Sequence, residues 1–133
     1  MERASVKSRR REEFLDITDV VLDAVRRRGW RDGIITVYVP HTTAGVLVNE
    51  GADPDVARDI LKRLESLAPL KGDYRHYEGN SDAHIKAALI GSSLTLLLEG
   101  GRLMLGRWQR IFFAEFDGPR TREIWIKFTP GEV

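Results

Sequence analysis

Cysteine is absent from the 133 residues of the chain, and this absence removes several classes of function. Without thiols the protein has no disulfide framework, no thiolate metal ligand and no cysteine nucleophile. Long apolar runs are also lacking: no stretch approaches the roughly 20 residues of a membrane span, and the charged residues 1–11 do not resemble a secretory signal. We therefore expect a soluble, cytoplasmic protein with no membrane partner, which suits a reducing compartment.

An excess of charge of either sign is missing as well. The chain has 21 lysines and arginines against 20 aspartates and glutamates, a net charge of +1. The basic residues gather near the start and at positions 26–28, without the interleaved aromatic residues that are typical of nucleic-acid binding. A charged strand face and the end of a helix account for these two groups. We expect no nucleic-acid partner.

The chain length and the apolar content, 133 residues and 42%, predict a single domain over residues 1–133 with a sizeable core. Apolar spacing and capping residues predict three helices. The first covers residues 19–28 with Thr18 as its N-cap, and the second starts at Pro54 after Asp53. The third is short, covers residues 82–89 and has Asp82 as its cap.

Strands are predicted where β-branched residues gather. Residues 34–39 form one strand, which ends at Pro40, and residues 46–48 look like its short continuation after a polar turn. The remaining strands cover residues 94–98, 103–105, 110–116 and 123–128, with the first two joined across Gly100-Gly101. We infer an α+β fold: a largely antiparallel sheet system with about three helices.

The scarcest polar residues are three histidines, His41, His76 and His84. All three lie at element ends or in polar loops, where binding sites are usually built. Taken singly, each is more often a surface or structural residue. Together, three imidazoles without a thiolate suit zinc or a similar metal and leave a fourth position open. The start of the helix that carries His84 also offers free N–H groups that attract phosphate.

Two acidic residues are candidates for other roles. On a strand pair, Glu50 would lie near His41 and serve as a general base or support a metal ligand. Glu115 falls within an apolar strand, so its carboxylate needs a buried partner.

Three further segments have two interpretations each. Trp108-Gln109 contacts substrate, or forms an interface aromatic with a capping amide. Arg120 is a fork for phosphate or a solvated turn residue. The hydroxyl groups of Thr42 and Thr43 orient an imidazole or hold an anion.

Several sequence blocks, taken in order, resemble the YjbQ-like family, one class of which is described as secondary thiamine-phosphate synthase. The blocks are His41-Thr42-Thr43-Ala44, Asn49-Glu50-Gly51-Ala52-Asp53-Pro54, His76-Tyr77-Glu78-Gly79-Asn80-Ser81-Asp82-Ala83-His84, Gly91-Ser92-Ser93-Leu94-Thr95, Gly106-Arg107-Trp108-Gln109 and Glu115-Phe116-Asp117-Gly118-Pro119-Arg120. The resemblance covers nearly the whole chain. It implies an α+β sandwich, a homotrimer and a metal held by the three histidines.

The resemblance leads to one hypothesis and two alternatives. The hypothesis is a transferase that joins a thiazole phosphate to hydroxymethylpyrimidine diphosphate with loss of pyrophosphate. Its expected residues are, as metal ligands for zinc or possibly magnesium, His41, His76 and His84; as catalytic residues, Glu50, Asn80 and Ser81; and as contacts to the phosphorylated substrate, Thr42, Thr43, Asn49, Lys86, Trp108, Gln109 and Arg120. The alternatives are a metal-dependent hydrolase of a small phosphorylated or acyl substrate, with Glu50 as base, and a trimeric metal- or ligand-binding protein without activity.

Overall fold

The computed structural model describes residues 1–132, which form two antiparallel sheets and three helices. In chain order the elements are β1 (Glu2–Lys7), β2 (Glu13–Asp16), α1 (Thr18–Arg28), β3 (Gly33–Tyr38), β4 (Ala44–Glu50), α2 (Pro54–Leu67), α3 (Ser81–Ile90), β5 (Ser93–Glu99), β6 (Arg102–Leu103), β7 (Gln109–Glu115) and β8 (Thr121–Pro130). The predicted α+β class is confirmed. None of the helices in this described part is long and apolar enough to cross a membrane.

The larger sheet has five strands in the order β1-β8-β3-β5-β6. Its central strand pairs join β3 to β8 and to β5, so that Val37 lies opposite Ile126 and Leu94. Along β8 the residues Arg122, Ile124 and Ile126 are buried and alternate with more exposed ones. This period of two is expected of a sheet that packs one face against a core.

The smaller sheet has three strands in the order β2-β7-β4. Its central strand, β7, is buried on both faces, which explains the nearly continuous apolar sequence of this segment. Ile111 and Phe113 belong to the main core, which also contains α1, whereas Ala114 belongs to a second cluster with α2 and α3.

Two helix starts differ from the prediction, and one agrees with it. Asp53 caps α2, where its side chain accepts a hydrogen bond from the Asp55 N–H at 2.9 Å. Thr18 lies inside α1 instead of capping it, because its hydroxyl oxygen accepts from the Ile111 N–H of β7. Asp82 does not cap α3 either, since its carboxylate is buried and pairs with cations of the core.

The strand predictions need two corrections. Residues 46–48 do not continue β3: they lie in β4, and the chain crosses from the larger sheet to the smaller one between residues 39 and 43. The strands β1 and β2 were not expected, because β1 is half-exposed and rich in charge and β2 has only four residues. The other predicted strands are present with boundaries shifted by one to three residues.

Candidate functional site

An open pocket of about 420 Å³ lies where three connecting segments meet. The segments are the β3–β4 connection, the chain that enters α3 and the turn between β7 and β8. Their pocket-lining residues are Pro40, His41, Thr42, Thr43, Glu78, Asn80, His84, Asp117, Arg120 and Arg122. Six of these residues were predicted as site residues: His41, Thr42, Thr43, Asn80, His84 and Arg120. The pocket is therefore the place where most of the predicted site comes together.

Backbone and side-chain bonds hold these segments beside one another. Ala44 pairs with Glu115 at the end of β7, and the Phe116 N–H donates to the Thr43 carbonyl oxygen at 3.2 Å. The Asn80 Nδ2 donates to Asp117 Oδ2 at 2.9 Å, which ties the start of α3 to the β7–β8 turn. The smaller sheet thus fixes one wall of the pocket and α3 the other.

His76 and His84 face each other beside the pocket. Their ring centres are 5.5 Å apart and their planes are nearly perpendicular, at 86°. The Ser81 hydroxyl donates its proton to the His76 carbonyl oxygen at 3.1 Å, so Oγ can only accept from His76 Nδ1, at 2.8 Å. This assigns the proton of neutral His76 to Nδ1 and leaves the Nε2 lone pair available. Ser81 therefore orients His76.

His41 is held differently. Its Nε2 accepts from the Glu123 N–H at 2.9 Å, so a neutral ring carries its proton on Nδ1. Partial burial and the positive charge of Arg122 lower the pKa of His41, which keeps the ring neutral at neutral pH. Both ring nitrogens are then committed. Within residues 1–132, the nitrogens of the three histidines are not all within 4.8 Å of one another.

The buried pair of Glu115 and Arg122 closes the back of the pocket. Arg122 Nε donates to Glu115 Oε1 at 2.9 Å, its Nη2 donates to Glu115 Oε2, and the Ser8 hydroxyl donates to Glu115 at 2.7 Å. Burial alone would raise the pKa of Glu115, but these bonds and that of the Asp117 N–H hold it below its usual value. The prediction that Glu115 is buried with a partner is confirmed.

The polar side chains around this pair divide into committed and available ones. Thr43 is buried, and its Oγ1 accepts from Arg122 Nη2 at 2.8 Å, so it supports the fold, whereas Thr42 is exposed to the pocket. Arg120 donates from Nε to the Asp117 carbonyl oxygen at 2.7 Å and is 53% exposed. Asn80 Oδ1 is buried and lacks a hydrogen-bond partner within the described chain.

Four predicted site residues lie elsewhere in the chain: Asn49, Glu50, Trp108 and Gln109. Strand β4 begins beside Glu115 and ends beside Gln109, so its last residue is roughly 20 Å from the pocket at about 3.3 Å per residue. The expected proximity of Glu50 and His41 is wrong within one chain, because β3 and β4 belong to different sheets. Asn49 Oδ1 accepts from the Glu50 N–H and Gln109 Oε1 accepts from the Gly106 N–H, as in ordinary turns, while Trp108 is 54% exposed.

Lys86 also lies outside the pocket, contrary to the expected contact with a phosphate. It is fully buried, and its Nζ donates to Glu65 at 2.6 Å and to Glu12 and Asp82 at 3.0 Å each. Burial opposes its charge, but the three carboxylates together raise the pKa of Lys86. An ammonium group has only three N–H donors, so none remains for a substrate.

Three pocket residues had no predicted role: Glu78, Asp117 and Arg122. Arg122 had a usable signal, because it occupies the same strand face as the apolar Ile124 and Ile126, and a buried arginine is the natural partner of a buried glutamate. The roles of Glu78 and Asp117 depend on how separate loops meet, and no spacing in the sequence indicates that.

Comparison with known proteins agrees with this fold. The model of the family described as UPF0047 protein YjbQ-like matches residues 2–131. The chain belongs to the YjbQ family. Among curated YjbQ-family relatives, UPF0047 protein MJ1081 of Methanocaldococcus jannaschii is 51% identical over 92% of this chain and 88% of its own length. UPF0047 protein YugU of Bacillus subtilis is 46% identical over 92% and 93%.

Solved YjbQ-family structures have the same architecture. A protein of the YjbQ/UPF0047 family from Clostridium acetobutylicum superimposes with a TM-score of 0.95 and 51% identity, covering 97% of this chain and all of that one. The conserved hypothetical protein TT1486 from Thermus thermophilus gives a TM-score of 0.91 and 49% identity, covering 97% and 100%. These relationships establish the YjbQ family and its fold, and they name no reaction.

Proposed function

We propose that the pocket binds a divalent metal, zinc in the first instance, through His76, His84 and His41, and that a small phosphorylated substrate reacts there. The observation that carries the proposal is the facing pair of His76 and His84. Two imidazoles on one tetrahedral zinc, with Zn–N distances of about 2.0–2.1 Å, place their ring centres roughly 5 Å apart. The 5.5 Å separation and the perpendicular planes fit such a pair.

The third ligand requires a local exchange of bonds. For His41 to bind through Nε2, the ring must release the Glu123 N–H, since this bond and the Nδ1 proton occupy both nitrogens. The lowered pKa of His41 favours the neutral form that metals bind. Imidazole donors suit zinc better than magnesium, which prefers oxygen ligands.

The proposed reaction is of the thiamine-phosphate synthase type. The nitrogen of a thiazole phosphate attacks the methylene carbon of hydroxymethylpyrimidine diphosphate; a C–N bond forms, and the C–O bond to pyrophosphate breaks with the electron pair leaving on oxygen. A bound metal supplies positive charge beside that departing oxygen. Arg120 contributes N–H donors to a phosphate group, and Ser81 keeps His76 in its metal-binding orientation.

The direct test is synthesis from the two precursors. Purified protein is supplied with zinc, the thiazole phosphate and the pyrimidine diphosphate, and thiamine phosphate is measured by chromatography. We expect at least ten times more product than with a His84→Ala variant or in the presence of a chelator. A matched Asp59→Ala change on exposed α2 serves as the control. Product that does not exceed the yield of a His41→Ala variant refutes the synthase proposal.

A second candidate, metal-dependent hydrolysis, has one observation in its favour. Glu78 lines the pocket and its Oε2 lies 3.7 Å from His76 Nε2, so a carboxylate is present to act as a general base. Phosphate and carboxylic esters are tested with and without chelator. Hydrolysis that falls in Glu78→Gln and not in Glu50→Gln supports this candidate with Glu78, in place of Glu50, as the base.

The third candidate is a homotrimer that binds metal or ligand without turnover. The outer face of the five-stranded sheet supports self-association, because Ile34, Tyr38 and Leu97 are 39%, 42% and 51% exposed there and Tyr38 stacks on Trp125. Light scattering after gel filtration should give three times the 15.1 kDa chain mass. Residues Asn49, Glu50, Trp108 and Gln109 enter the proposed site only if a neighbouring subunit supplies them. A large loss of melting temperature on metal removal, with no turnover on any substrate, favours this candidate.

A further inference from the structure

The guanidinium group of Arg122 has one amino group to spare at the back of the pocket. Its Nε and Nη2 are taken by Glu115 and Thr43, whereas Nη1 has no hydrogen-bond partner within residues 1–132. The side chain is only 6% exposed and yet lines the pocket. A charged N–H donor in a buried position is costly to leave unpaired, so this position favours a ligand that accepts.

An unpaired acceptor faces the same pocket. Asn80 Oδ1 is buried without a partner, while its Nδ2 is anchored on Asp117 and fixes the orientation of the amide. Arg120 lies at the mouth with part of its guanidinium group exposed. A ligand that satisfies all three groups must accept hydrogen bonds at some oxygens and donate one from another.

We propose that Arg122, Asn80 and Arg120 form a subsite for a protonated oxyanion, namely a phosphate group that carries one P–OH. Arg122 Nη1 and Arg120 donate to the phosphoryl oxygens, and Asn80 Oδ1 accepts from the P–OH. This inference rests on the proposed function, since it specifies how the phosphorylated substrate is held. It assigns Arg122 and Asn80 to binding of the substrate, not to the metal.

The charges around the subsite explain why it should select by hydrogen bonding. Arg122 is neutralised by Glu115, and Arg120 is paired with Asp117 at 3.1 Å, while Glu78 adds a further negative charge. A pocket without net positive charge binds anions weakly by attraction alone. Sulfate has the shape of phosphate but no proton at neutral pH, so its oxygens would be repelled by Asn80 Oδ1. Phosphate should therefore be preferred over sulfate.

The test is a titration of the full chain with inorganic phosphate and with sulfate, measured by calorimetry at pH 7 with and without zinc. We expect phosphate to bind at least ten times more tightly than sulfate. Asn80→Ala should reduce this ratio to about one, and Arg122→Lys should weaken phosphate binding at least tenfold. Arg107→Gln, an exposed arginine that stacks on Trp108, is the control and should change neither value by more than twofold. Equal affinities for the two anions in the unmodified protein overturn the proposal.

Two further readings keep the result interpretable. If Arg122→Lys does not fold, the side-chain Nε–H signal of Arg122 in the unmodified protein is followed by NMR; it should shift with phosphate and not with sulfate, and a signal that phosphate does not move overturns the proposal. Metal binding is measured separately. A protein that binds phosphate selectively but no zinc contradicts the proposed function and leaves the subsite standing, and the reverse result contradicts the subsite alone.

Discussion

Replacing Lys86 by methionine removes a cation from the centre of three carboxylates while keeping a side chain of similar length. Breaking a buried ion pair by removing one partner typically costs about 3–5 kcal/mol. Glu12 and Glu65 are 22% and 43% exposed and can turn towards water, whereas the fully buried Asp82 keeps both hydrogen bonds from Arg11. We therefore expect a loss at the low end, about 3 kcal/mol.

Urea unfolding followed by circular dichroism measures this loss, and the melting temperature should fall by about 10 °C for a chain of this size. Lys62→Met on the exposed side of α2 is the matched control and should change the free energy of unfolding by less than about 0.5 kcal/mol. A loss below about 1 kcal/mol for Lys86→Met would mean that the carboxylates do not depend on this ammonium group.

The pH dependence of the same variant gives a second check. The hydrogen bond from Lys86 lowers the pKa of Glu65; burial opposes a lowered pKa at Asp82, but Arg11 and Lys86 outweigh it. A carboxyl group with a depressed pKa stabilises the fold fully above its ordinary pKa, and this stabilisation is lost as the pH falls through the folded-state pKa. The difference between Lys86→Met and the unmodified protein should therefore be greatest at neutral pH and should narrow below about pH 4.

Three other predictions concern the site and the fold. If His41 binds the metal through Nε2, zinc should shift the NMR signal of the Glu123 amide, which loses its acceptor; an unmoved signal in a zinc-loaded protein contradicts this role of His41. Asp53→Ala should cost about 1 kcal/mol in urea unfolding through loss of the α2 cap. Gly33→Ala should cost more than about 1–3 kcal/mol in the same assay, because φ is +150° and the new Cβ would lie 2.1 Å from the Thr129 carbonyl oxygen; an unchanged midpoint would contradict the strand geometry.

The parts of the fold that local sequence determines were predictable. Asp53-Pro54 has a capping residue and a proline whose favoured positions are local, and the apolar run before Glu115 leaves its carboxylate no solvent. The capping roles of Thr18 and Asp82 were wrong for the opposite reason. Each side chain has a partner that is distant in sequence, Ile111 for one and Arg11 for the other, and such a partner wins over the nearby N–H.

The site was predictable in composition and less so in geometry. The scarcity of histidine pointed to His41, His76 and His84, and the pocket brings His41 and His84 together. The separation of Glu50 from this pocket follows from the change of sheet between β3 and β4, which no local pattern indicates. Arg122 could be paired with Glu115 only once the register of β7 and β8 in their two sheets was known.

The double burial of β7 has a consequence for how the pocket can move. Because neighbouring residues of this strand belong to two different clusters, neither cluster can come apart without disturbing the other. The last residue of β7 is Glu115, so the back wall is attached to the stretch of chain that opens last. The loop that carries His76 has no such attachment beyond Ser81 and the neighbouring chain. Motion that admits a ligand is therefore expected on the His76 side, against a wall that stays in place.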